Sequence, residues 1–62
     1  MITQGDRDRA SKFMDVPPGQ WPAGMRVGVM ILSVGRSIHN SEDMIEVLAE
    51  YVAAERLSRV DR

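Results

Sequence analysis

Residues Met25 to Ile38 read MRVGVMILSVGRSI, and the fold of the chain depends on how this stretch is interpreted. It is the most apolar part of the sequence and contains only two charges, Arg26 and Arg36. At 3.6 residues per turn, a helix here carries one apolar set on one face and a second set on nearly the opposite face. The first set is Val27, Met30, Ile31, Val34 and Ile38, and the second is Met25, Val29 and Leu32.

A helix that is apolar on two faces is normally buried on two faces. In a chain of 62 residues, the flanking segments can cover only one of these faces well. We therefore expect another copy of the chain, or another protein, to cover the second face. A stripe of Gly24, Gly28 and Gly35 runs between the faces and predicts a close approach to a neighbouring helix or to a symmetry mate.

A buried β-strand over residues 26–34 is the alternative structure for this stretch. Val27, Val29 and Ile31 are β-branched, and periodicity alone does not settle a continuous apolar run. No other segment alternates in polarity, and a lone strand leaves its backbone groups unpaired. These points favour the helix, although a strand paired across a dimer would escape the objection.

The length of the chain predicts one small domain over residues 1–62 with a marginal core. Such domains are commonly reinforced by disulfides, a metal or oligomerisation. The sequence has no cysteine and one histidine, which excludes disulfides and thiolate zinc sites and disfavours a histidine-based metal site. We expect no cofactor, and oligomerisation remains as the reinforcement.

The charge balance and the termini indicate where such a chain would work. The formal net charge is −1, which disfavours general nucleic-acid binding. The apolar run is shorter than the ~20 residues of a membrane span, and the polar N-terminus does not look like a signal peptide. We expect a cytoplasmic protein that does not enter a membrane.

Two further helices are expected on either side of the apolar stretch, so that the three helices cover about residues 4–14, 22–39 and 41–59. Thr3 and Asp6 have the spacing of a capping box at the start of the first helix. Prolines and a glycine at 17–19 end that helix, and Asn40 or Ser41 caps the third.

The third helix is the most clearly amphipathic, but its apolar face becomes charged near the C-terminus at Glu55, Arg59 and Arg62. One interpretation is that the helix extends into solvent there, with Glu55 and Arg59 forming an i,i+4 pair. The other is that these charges contact a second subunit or a target.

Trp21 also has two interpretations, as a lid over one end of the core or as an exposed anchor for a partner. The candidate interaction residues are Trp21, Met25, Val29, Leu32, Arg36, Glu55 and Arg59.

The sequence does not indicate catalysis. His39 is near Ser37 and Ser41 along the chain, but no acidic residue is placed to orient it, so a hydrolytic site is disfavoured. The Gly35-Arg36-Ser37 segment lacks the spacing of a phosphate-binding loop. A helix-turn-helix is disfavoured too, because the exposed face of the third helix is acidic and would repel phosphates.

Two segments resemble small helical proteins encoded by bacteriophages and prophages. The opening Thr3-Gln4-Gly5-Asp6-Arg7-Asp8-Arg9-Ala10 is similar to theirs, as are His39-Asn40-Ser41 and the pieces Val47-Leu48-Ala49 and Ala53-Ala54-Glu55-Arg56 of the closing helix. Together they cover about half of the chain, and the apolar Met25–Ile38 stretch departs from that group. The resemblance implies a phage source and a role in binding a host protein and altering its activity.

The prediction is thus an all-α, three-helix domain with a central apolar helix, assembled as a homodimer or higher oligomer. We expect a non-enzymatic interaction protein, a phage-encoded modulator or inhibitor of a host factor. The first alternative is a small nucleic-acid-binding or transcription-accessory protein. The second is a protein that binds a small ligand in an oligomeric cleft.

Overall fold

The computed structural model describes residues 2–60, and within them all regular secondary structure is helical. Three α-helices follow one another, α1 (Gln4–Phe13), α2 (Met25–Ser33) and α3 (Ser41–Val60), with a short 3₁₀ turn at Pro18–Gln20 between the first two. The all-α prediction with three helices is confirmed, and the strand alternative for residues 26–34 is wrong. Arg62, one of the charges singled out at the end of the third helix, lies outside the described residues.

The start of α1 has the capping box that the sequence predicts. The Asp6 backbone N–H donates to the Thr3 hydroxyl at 3.1 Å, and the Thr3 backbone N–H donates to the Asp6 carboxylate at 3.0 Å. Two backbone N–H groups that a helix start leaves without partners are satisfied in this way. The helix ends at Phe13, one residue earlier than expected.

Helix α2 is much shorter than predicted, because its nine residues replace an expected span of 22–39. Pro22 does not open the helix; its carbonyl instead accepts a turn hydrogen bond from the Met25 N–H at 3.1 Å. The helix begins after Gly24 and ends before Val34, whose backbone is extended. Gly35 follows with a φ of +78°, a left-handed conformation that commonly ends a helix.

Helix α3 begins as the sequence indicates, with Asn40 as the cap. The Asn40 side-chain oxygen accepts a hydrogen bond from the Asp43 N–H at 2.9 Å, and the Asp43 carboxylate accepts one from the His39 backbone N–H at 3.0 Å. These bonds again satisfy the free donors at a helix start. His39 thus joins the start of α3 through its backbone N–H.

The helix on which the other two pack is α3, whereas the sequence suggested the apolar α2. With 20 residues, α3 is long enough to hold α1 and α2 along its length, and α2 with nine is not. Three consecutive α3 residues are buried, which requires cover around much of the helix. The core contains Ala10 of α1, Met25 and Val29 of α2, and Val47, Leu48 and Ala49 of α3.

No helix among residues 2–60 combines the length and the apolar character that crossing a membrane would require.

Candidate functional site

One side of α2 leaves a row of large apolar side chains in solvent. Val27 is 59% exposed, Met30 58%, Ile31 66% and Val34 77%. Val27, Met30 and Ile31 fall within an arc of about 100° on a helix with 3.6 residues per turn, and Val34 is the first residue beyond the helix end. We call these four residues the α2 apolar face. Isolated exposed apolar residues are ordinary, but a contiguous uncharged group of this kind typically marks an interaction site.

The opposite side of α2 is in the core of the chain. Met25 is 1% exposed and Val29 4%, and the half-buried Leu32 packs against the same cluster. Met25 and Val29 were assigned to an interaction surface from the sequence, and that assignment is wrong because α3 already covers them. Both faces of α2 are apolar in the sequence, and the one predicted to interact is the one that the chain itself buries.

Gly28 sets how closely α2 approaches α3. A Cβ added at this position would lie 2.5 Å from Cε1 and 2.8 Å from Cδ1 of the Tyr51 ring, closer than any side chain tolerates. The predicted close approach is therefore confirmed at Gly28 and directed at α3. Gly24 and Gly35 have no such neighbour, and their positive φ angles place them at the two ends of α2 instead.

Trp21 is a half-buried side chain that closes one end of the core. Its indole N–H donates to the Val16 carbonyl at 3.0 Å and to the Phe13 carbonyl at 3.2 Å, and its ring packs against the core cluster. Both carbonyls belong to the segment that follows α1, so Trp21 ties this connection to the core. The structure thus places Trp21 as the predicted lid.

Arg36 lies beyond the end of α2 and forms a two-pronged ion pair with Glu50 of α3, one arm of which is 2.6 Å long. The hydrogen bonds between the two side chains, together with their opposite charges, raise the pKa of Arg36 and lower the pKa of Glu50. Both side chains remain partly exposed. Arg36, a candidate interaction residue, thus fastens the connection between α2 and α3.

The two remaining candidates, Glu55 and Arg59, help to line a cleft where the three helices meet. The cleft is half open to solvent and encloses about 420 Å³. Its polar residues, Arg9, Glu55, Arg56 and Arg59, surround an apolar wall of Phe13, Met25, Tyr51 and Val52. We call this feature the arginine cleft.

Tyr51 joins the apolar and charged parts of the arginine cleft. Its hydroxyl donates to the Glu55 carboxylate at 3.1 Å. Burial, with the bonded carboxylate as a second cause, raises the pKa of the Tyr51 hydroxyl. The predicted partner of Glu55 was Arg59, but the structure gives this carboxylate the tyrosine hydroxyl one turn earlier.

An ion pair behind this cleft was not foreseen from the sequence. Asp6, only 4% exposed, accepts two hydrogen bonds of 3.2 Å from the Arg56 guanidinium. The Arg56 hydrogen bonds, assisted by the Thr3 backbone N–H, lower the pKa of Asp6 from 3.8 to about 2. The two residues are 50 positions apart, and the capping role of Asp6 gave no sign of a second partner.

A similar long-range pair changes the interpretation of α1. Arg7 donates two hydrogen bonds to Glu46 of α3, of 2.5 and 3.3 Å. This pairing neutralises one basic residue of α1 and one acidic residue of α3. The nucleic-acid alternative gains no support from these contacts.

Comparison with known proteins gives no further identification, since no family model, curated protein or solved structure matches the chain. Among residues 2–60, histidine and carboxylate side chains form no group of three that could hold a metal ion. The α2 apolar face and the arginine cleft are therefore the two surfaces from which function has to be inferred.

Proposed function

We propose that this chain is a non-enzymatic interaction protein that associates with itself through the α2 apolar face. The observation that carries the proposal is the exposure of four apolar side chains, three on one side of α2 and one just beyond its end, while the other side of the helix is already buried. Covering them removes apolar surface from water, at about 25 cal/mol for each Å² buried. The gain is large for a domain of this size, whose own core supplies little stability.

The chemistry of the face favours a second copy over an unrelated partner. Val27, Met30, Ile31 and Val34 include no charged or hydrogen-bonding side chain that would select a different protein by complementarity. Two such faces can meet around a twofold axis without bringing like charges together, and self-complementary contacts of this type are the commonest in homo-oligomers. The nearby Arg36 is already neutralised by Glu50.

We further propose that the assembled protein acts in the cytoplasm by binding a host protein and altering its activity. The resemblance of the two ends of the chain to small phage-encoded proteins supports this part of the proposal.

The test is sedimentation or light scattering of a variant in which the α2 apolar face is made polar. The double substitution Val27→Gln and Ile31→Gln keeps good helix-forming residues in exposed positions, so the fold should persist. At tens of micromolar, we expect the wild-type chain to be dimeric or larger and the double variant to be monomeric with an unchanged helical circular dichroism spectrum.

Arg26→Gln is the matched control, because Arg26 lies on α2 and is exposed but is outside the α2 apolar face. It should assemble as the wild type does. A wild-type chain that remains monomeric at these concentrations would contradict the proposal, and so would a double variant that assembles normally. For the host-protein part, a partner should be retained in stoichiometric amount and lost with the double variant.

A further inference from the structure

The arginine cleft is a second surface that self-association through the α2 apolar face leaves unexplained. Its volume of about 420 Å³ is within the range of small-molecule sites, about 300–1,000 Å³. Met25 and Val52, two of its apolar lining residues, are 1% and 7% exposed. These two buried side chains support the cleft from the core, and the more exposed Phe13, Pro22 and Tyr51 supply the apolar surface that a ligand can touch.

Some charged residues of the cleft have hydrogen-bond partners within the described chain, and others do not. Arg56 is held by Asp6 at 3.2 Å, and Glu55 accepts the hydroxyl hydrogen of Tyr51. Arg9 and Arg59, by contrast, form no hydrogen bond or ion pair with any residue in the range 2–60. Two guanidinium groups thus stand beside apolar surface with their donors available to a ligand.

The charge balance indicates the charge of that ligand. Arg9, Arg56 and Arg59 carry three positive charges, and Glu55 and the neighbouring Asp6 carry two negative ones, so these five residues together leave one net positive charge. A ligand with one negative charge would neutralise this excess charge. Guanidinium groups bind planar carboxylates through two parallel hydrogen bonds, a geometry that suits a carboxylate head group.

We propose that the arginine cleft binds a small apolar carboxylate. The apolar body lies against Phe13, Pro22 and Tyr51, and the carboxylate is held by Arg9 and Arg59. Arg56 is a positioning residue, because its own pairing with Asp6 fixes it in the wall of the cleft. This binding is independent of the proposed self-association, since none of the four residues of the α2 apolar face lines the cleft.

The test is a titration of the isotope-labelled full chain with 3-phenylpropanoate, followed by two-dimensional NMR. We expect saturable shifts centred on Phe13, Tyr51 and Val52. Two related probes separate charge from apolar contact: 3-phenylpropanamide, which has the same shape without the charge, should bind at least tenfold more weakly. Acetate, which has the charge without the apolar body, should give no saturable shifts.

Arg9→Gln and Arg59→Gln should each weaken 3-phenylpropanoate binding by about tenfold, the loss expected for one charge-assisted hydrogen bond. Both side chains are exposed, so the fold should be unaffected. Arg26→Gln again serves as the control and should bind with wild-type affinity, as should the monomeric Val27→Gln, Ile31→Gln variant. Equal affinity for the amide, shifts confined to the α2 apolar face, or equal weakening by Arg26→Gln would each overturn the proposal.

Discussion

At the scale of single residues, Gly28 determines how α2 and α3 pack. Glycine is a poor helix former, and replacing it with alanine inside a helix ordinarily stabilises a protein by about 1 kcal/mol. Here the added methyl group would lie 2.5 Å from the Tyr51 ring, and overpacking of this kind costs about 1–3 kcal/mol. The packing cost exceeds the gain in helix propensity.

We therefore expect Gly28→Ala to lower the free energy of unfolding by about 1 kcal/mol. In a Tyr51→Val background the obstructing ring is gone, so the same substitution should become stabilising by about 1 kcal/mol. Thermal melts of the four chains of this double-mutant cycle measure the change of sign. A Gly28→Ala variant more stable than the wild type would mean that the ring moves aside without cost.

Asp6 has two roles at once, as a cap for α1 and as the partner of Arg56. Its pKa of about 2 is below the 3.8 of an unperturbed group, so the folded state holds this proton less tightly than the unfolded state does. The stabilisation from Asp6 is therefore complete above about pH 4 and is lost as the pH falls towards 2.

The expected result is a flatter decline of melting temperature between pH 4 and pH 2 in Asp6→Asn than in the wild type. Arg56→Gln should flatten the decline as well, because the Arg56 hydrogen bonds are the main cause of the lowered pKa. Circular dichroism melts at intervals of half a pH unit measure this. Parallel curves for the wild type and both variants would show that the pair does not stabilise the fold.

At the scale of elements, the length of α2 follows from the glycines at its two ends, Gly24 and Gly35. Gly35 has a φ of +78°, which costs about 1–2 kcal/mol for a residue with a Cβ. No atom lies within 4 Å of the position where that Cβ would be, so packing does not contribute. Glycine is thus required at position 28 because there is no room for a Cβ, and at position 35 because the backbone has a positive φ.

Gly35→Ala should lower the free energy of unfolding by about 1 kcal/mol. Unlike the loss at Gly28, this one should persist in the Tyr51→Val background. A chemically synthesised chain with D-alanine at position 35, which favours positive φ, should be at least as stable as the wild type. Equal losses with the L- and D-residues would point to a packing effect and would contradict the assignment.

At the scale of the whole molecule, two candidate functional surfaces lie on a small core. If the α2 apolar face is covered by a second copy, assembly and folding are linked, because association stabilises the folded state by mass action. The melting temperature of the wild type should then rise with protein concentration. That of the Val27→Gln, Ile31→Gln variant should not, and calorimetry over a hundredfold range of concentration measures both.

If the wild type is monomeric, neither its melting temperature nor that of the double variant should depend on protein concentration. A melting temperature independent of concentration in the wild type would therefore count against the self-association, whatever the fate of the host-protein proposal. The arginine cleft provides a separate comparison, since binding of 3-phenylpropanoate should raise the melting temperature of both chains alike.

The sequence by itself determined the local features of this protein. The helix starts at Thr3 and Asn40 depend on side chains that bond a backbone three residues away, and such contacts are readable from spacing alone. The two apolar faces of α2 follow in the same way from helical periodicity. Gly35 also indicated locally that α2 ends early. This indication was missed because Gly35 was interpreted as part of a packing stripe.

Only the tertiary structure decided which face of α2 is buried, since both faces are apolar and periodicity does not rank them. Gly28 gave a partial indication of the buried face, because a glycine that permits close approach lies on the side of α2 that packs on another helix. Asp6 and Arg56 are 50 positions apart in the sequence. Their pairing, and the arginine cleft next to it, depend on contacts between distant parts of the chain. Local spacing carries no information about such contacts, because they exist only once α1 and α2 have both packed on α3.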